Sequence, residues 1–339
     1  MKTALRLFGM LLGLALFAGF LHRAGPGEIW HTVSRLGWLA PLALVPYALT
    51  YGADTLGWDC AFGSRNRHGL GFRQLYRIRW AGEAVNNVVP SASVGGEAIK
   101  VYLLCKRGVS VDDATSSVIA GRTVQTLTQV AFFALGSAAF LHVAGNEPGL
   151  RAGMAIALAV SVAAVATLFW LQTHGMFTLV LRLLDRVHWR SARLEGKRER
   201  LQRIDRQVLA FYRNDREYFL MSAGAYLAGW FLDSLDVIVV AFLLGLPITW
   251  FQALAIESFI SIAKLTGFLV PGALGVQESS IALLCYWAGM PEAFGPAYAI
   301  VRRGRDVVFA SAGWLLLYAE ETRLRGFAAR ISAESRNEP

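Results

Sequence analysis

Pro271-Gly272-Ala273-Leu274-Gly275-Val276-Gln277-Glu278 interrupts an otherwise apolar stretch, and 181 residues upstream stands a counterpart, Pro90-Ser91-Ala92-Ser93-Val94-Gly95-Gly96-Glu97. In each, Ala follows Pro by two positions and Glu follows it by seven. The agreement extends outward. Arg122 and Arg303 each lie 25 residues beyond their glutamate, and Asp54-Thr55-Leu56 and Asp233-Ser234-Leu235 precede the glutamates by 43 and 45 residues. Broken apolar segments in corresponding places of two halves are a sequence pointer to a transporter's binding site.

The 339 residues are 55% hydrophobic and 17% charged, which excludes an ordinary soluble domain and predicts a polytopic membrane protein. The net charge of +9 sits mainly in loops flanking apolar segments. That distribution reads as topology information and affinity for anionic headgroups, not as a nucleic-acid footprint. Cys60, Cys105 and Cys285 have no metal spacing, and the six histidines form no ligand cluster, so neither metal nor cofactor is expected. No nucleophile–base constellation and no phosphate-binding loop is present, which argues against an enzyme.

Apolar runs of spanning length lie near 4–21, 37–62, 115–141, 152–173, 218–245 and 297–319. The first follows Lys2 and Arg6 and reads as an uncleaved span. Two further apolar segments, 83–105 and about 250–290, are broken by Pro, Gly and charge. Basic residues concentrate in 64–79, whose Gly71–Trp80 part reads as an interfacial amphipathic helix, and in 182–216, a solvated, partly helical loop. Keeping both patches cytoplasmic, with both termini, requires 83–105 to enter and leave on one side and 250–290 to do so on the other. The predicted fold is therefore all-α: about six full spans plus two re-entrant segments in inverted-topology repeats, about 37–141 and about 218–319, within a single transmembrane domain. The charged tail after Glu321 is expected to fray.

Arginine inside a span costs about 2.5–3.5 kcal/mol on insertion scales, so Arg122 and the Arg302, Arg303, Arg305 group need partners or a wet cavity. Arg122 and Arg303 could hold an anionic headgroup by forked hydrogen bonds. They could equally form structural ion pairs with Glu97, Glu278 or an aspartate. Arg302 and Arg305 read as interfacial, or paired to Asp306. Glu97 and Glu278 could neutralise arginines, carry a proton, or cap the following half-helix. Gly95, Gly96, Gly272 and Gly275 permit tight backbone at anion-accepting helix starts. Asp54, Asp59, Asp233 and Asp236 offer either a polar track or ion-pair partners, with Asn86, Asn87, Lys100 and Lys264 as polar lining.

Glu83-Ala84-Val85-Asn86-Asn87-Val88-Val89-Pro90 leading to Gly95-Gly96-Glu97 and Gly121-Arg122, together with Val270 through Glu278, resembles the transmembrane region of the lysylphosphatidylglycerol synthase family, also described as flippase-like membrane proteins. The resemblance covers nearly the whole chain. It implies a helical domain of the bacterial inner membrane with two re-entrant segments that moves lipids between leaflets. Better-known relatives carry a soluble aminoacyl-transferase domain after the membrane part. A chain ending at Pro339 is expected to lack that activity and to resemble the free-standing members linked to hopanoid and glycolipid pathways, so the lipid does not transfer. The expected partners are membrane lipids with a charged headgroup and, in the rival reading, a separate lipid-modifying enzyme for which the chain is a non-transporting scaffold.

Overall fold

The computed structural model describes residues 22, 26–64, 69–88, 94–144, 148–186, 198–266 and 275–334. The expected span at 4–21 and the positions Pro90 to Ser93 and Pro271 to Leu274, Gly272 among them, lie outside the described residues. Helices α1 (Pro26–Ser34), α2 (Val45–Cys60), α3 (Phe72–Val88), α4 (Val94–Cys105), α5 (Val111–Ala144), α6 (Pro148–Thr173), α7 (Met176–Arg186), α8 (Arg198–Asn214), α9 (Arg216–Leu243), α10 (Trp250–Thr266), α11 (Val276–Trp287) and α12 (Phe294–Glu334) follow in order, with no strand among the described residues.

Three of these are long and apolar enough to cross a bilayer: Val111–Val143, Arg151–Gln172 and Arg216–Leu243, matching the runs expected at 115–141, 152–173 and 218–245. The run at 37–62 is not one helix. A 3-10 segment, Gly37–Leu44, precedes α2, because Pro41 cannot donate to an α-helical ladder and Pro46 suits only a helix's first turn. The final run lies within α12, which continues to Glu334, so backbone expected to fray is helical.

The basic stretch 71–80 presents Arg73, Gln74 and Arg77 outward and a buried face inward, as an amphipathic helix does. It is the first half of α3, with Leu75 and Ile78 fully buried and Arg79 only 4% exposed. An arginine reads as a surface residue until partners appear, and Arg79 has two, Asp54 and Glu83. The first broken segment is thus a pair of arms, α3 and α4, that pack against each other. The second is α10 and α11, packed likewise. The two pairs match in length, 17 and 12 residues in each.

The halves interlock element by element. Helix α9 runs along α2, where Ser222 Oγ donates to the Gly57 carbonyl at 2.7 Å and the Tyr226 ring covers Gly57. On α5, Gln129 donates to the Ser261 carbonyl of α10 at 3.1 Å, and Phe133 and Phe140 pack on Phe259. Trp80 on α3 donates to the Phe309 carbonyl of α12 at 2.7 Å and stacks on its ring. A Cβ at Gly136 would overlap Ser258, with the α10 backbone just behind it. Gly136→Val is therefore expected to destabilise the α5–α10 contact by about 1–3 kcal/mol, read as a lower melting temperature in detergent. An unchanged melt would mean the two helices can separate freely.

Candidate functional site: ion-pair networks at the two helix breaks

Charges that water would otherwise solvate are drawn into two clusters, one per half. In the first, α2 supplies Asp54, α3 supplies Arg79, Glu83 and Asn86, α4 supplies Gly96, Glu97 and Lys100, and α5 supplies Arg122 and Gln125. Arg79 Nη2 donates to Asp54 at 2.5 Å. Lys100 Nζ lies 2.9 Å from Glu83 and 3.0 Å from Glu97, so one buried ammonium ties both arms of the break together. The Asn86 carboxamide oxygen accepts the Gly96 N–H at 2.7 Å, and a side chain at Gly96 would occupy the space Asn86 fills. Gly95, beside it, is half-buried at the start of α4, whereas Asn87 is exposed on the turn before the break.

In the second cluster, Glu257 of α10 accepts both guanidinium arms of Arg302, one at 2.7 Å, and Tyr298 O–H donates to Asp236 at 3.0 Å. Arg305 donates to Asp236 at 2.7 Å and to Asp306 at 3.0 Å. Arg302, Arg305, Asp236 and Glu257 are each at most 2% exposed. Arg302 and Arg305, expected at an interface or paired to Asp306, are instead core residues, with Asp306 as one partner of Arg305. Asp233, one turn before Asp236, is also buried.

Glu278 combines two of its expected roles. It accepts the Gly275 N–H at 2.7 Å, capping α11, and receives Arg303 Nε at 2.7 Å. Gly275 sits at φ +78°, a conformation that glycine adopts without strain.

The corresponding pair in the first half is not made. Glu97 is taken by Lys100, and Arg122 turns outward, exposed, with Gln125 Oε1 accepting one of its N–H groups at 3.1 Å. Gln125 in turn donates to Asp54 at 3.2 Å. Arg122 is close enough for its charge to act on Asp54 and Glu83. It lies nine residues beyond Asp113, about 14 Å along α5. Asp112 and Asp113 at that end are tied to α8 by Arg203 at 2.8 Å and Gln207 at 2.9 Å.

Two tyrosines of α2 join the clusters. The Arg305 guanidinium lies 3.7 Å from the Tyr47 ring, Tyr47 meets Tyr51 edge-on at 5.0 Å, and Arg79 sits 6.0 Å from Tyr51. Sequence reasoning missed Arg79, Glu83, Gln125, Glu257, Tyr47 and Tyr298 as members. Glu257 was findable, as a lone carboxylate in an apolar run; the tyrosines carried no signal.

The family model described as Lysylphosphatidylglycerol synthase TM region matches residues 6–313. The chain belongs to this family. A UPF0104 membrane protein from Methanothermobacter thermautotrophicus is 24% identical over 316 residues, covering 87% of this chain and 89% of its own. No solved structure matches. As a member of the lysylphosphatidylglycerol synthase transmembrane family with several apolar helices, the chain is a multi-pass membrane protein of lipid-related function.

Proposed function

We propose that this protein moves a polar-headgroup lipid between the leaflets of a bacterial inner membrane, without enzymatic chemistry of its own. The observation that carries the reading is Arg122. It lies about 14 Å along α5 from Asp113, which is about half a bilayer core if the charged Asp112–Asp113 end marks the membrane surface, yet it is exposed and commits one of its five N–H donors to Gln125. A guanidinium cannot face acyl chains at that depth without a large cost. A water-lined path to which an anionic headgroup has access resolves the conflict, since forked donors suit phosphate.

The same reading makes the two halves inverted repeats. The arms match at 17 and 12 residues, and α2 pairs with α9 while α3–α12 exchanges with α10–α5. A 12-residue arm spans about 18 Å, too short for a core of about 30 Å, which supports re-entrant hairpins. Asp54, Asp233, Asn86, Asn87, Gly95, Gly96 and Gly275 then border the path. The basic α7–α8 region lies on the cytoplasmic side, with both termini.

The test uses purified protein in liposomes doped with acyl-labelled phosphatidylglycerol, phosphatidylethanolamine or phosphatidylcholine, reading the fraction of label reached by an impermeant quencher. Protein-dependent movement of label from the inner leaflet is expected, fastest for the anionic lipid. No movement of any of the three beyond protein-free vesicles would favour the scaffold reading.

A further inference from the structure

We propose that α7 is an in-plane helix that binds anionic phospholipid headgroups on the bilayer surface through Arg182 and Arg186. Helical winding divides α7 into three sectors. One faces α8: the Thr178 hydroxyl and the Phe177 and Thr178 amides donate to Asp205, and Asp185 accepts both arms of Arg198 at 2.7 and 3.1 Å. Leu181 is buried. The second sector is apolar and uncovered, with Val180 48% and Leu183 54% exposed. The third, beside it, carries exposed Arg182 and Arg186.

Continuity with the bilayer face decides what covers the apolar sector. Helix α6 leads into α7 through Gly175, and only 6% of the most apolar window of α6 is buried inside the protein, which leaves an apolar surface of the kind acyl chains cover. Trp170, half exposed near its end, packs on His174 at 4.5 Å, an aromatic pair suited to the headgroup boundary. Helix α7 therefore starts at the depth where an apolar flank meets acyl chains and arginines meet phosphates. Asp205 fixes its direction there, because α8 is itself tied to α5.

Each arginine near an anionic surface adds about 1 kcal/mol, close to fivefold, so two predict at most about 25-fold enrichment and, after screening by salt, on the order of tenfold. The experiment reconstitutes the full chain in nanodiscs holding equal photoactivatable phosphatidylglycerol and phosphatidylcholine, then quantifies adducts on the 176–186 peptide. Phosphatidylglycerol adducts should dominate there by on the order of tenfold and fall toward parity in Arg182→Gln/Arg186→Gln, while adducts on α6 stay unchanged. Equal labelling by both lipids, enrichment that survives the double variant, or absence of lipid adducts on α7, as if a protein covered it, would each overturn the proposal. None of these readouts depends on lipid transport.

Discussion

Glu257→Ala is expected to lower stability by about 3–5 kcal/mol, the largest loss from any single substitution considered for this chain. Arg302 is 1% exposed and gives both guanidinium arms to Glu257; its next carboxylate, Asp236, is 4.0 Å away and already engaged by Arg305. Removing Glu257 leaves a buried guanidinium with only the Tyr298 hydroxyl at 2.7 Å and the distant, already shared Asp236 carboxylate to answer its charge. Thermal unfolding in detergent, followed by size-exclusion chromatography, should show a fall of roughly 5–15 °C. The double variant Glu257→Leu/Arg302→Met should recover most of it, since an apolar pair of similar volume removes both desolvation penalties. A single variant that melts like the wild type would mean that the pair is solvated and the core reading wrong.

The second large effect is on transport alone. Arg122→Ala should leave the melting temperature near wild type, because the side chain is exposed and makes a single hydrogen bond to Gln125. Leaflet exchange of acyl-labelled phosphatidylglycerol should nevertheless fall roughly 10- to 100-fold, the range for loss of a charge-assisted hydrogen bond to the moving headgroup. Arg122→Lys should keep part of the rate, since charge persists but the fork does not. Exchange at the wild-type rate by a folded Arg122→Ala protein would remove Arg122 from the path. Arg303→Ala serves as the contrast: Glu278 loses its partner, so stability should fall along with rate.

The comparison of these two arginines marks where sequence reading ended. Both stand 25 residues beyond a glutamate, and in sequence they are indistinguishable. In three dimensions Arg303 closes on Glu278, whereas Lys100 captures Glu97 and leaves Arg122 facing outward. Lys100 lies three residues after Glu97 on α4, a neighbour on the same helix face, and that local geometry wins over the distant pairing. Arg79 escaped the sequence reading for a related reason. Its neighbours Arg73 and Arg77 are exposed as on a surface helix, and only Asp54 from α2 makes Arg79 a core residue.

What the sequence determined by itself was local and compositional. Apolar length set the three long helices, proline and glycine set where two segments break, and family membership could be read from the motifs at those breaks. Which charges are buried, and with whom, was decided by tertiary structure. A carboxylate and a guanidinium 45 residues apart, as Glu257 and Arg302 are, become partners only when separate helices pack. Coulomb energy depends on separation and local polarity, and neither is written along the chain.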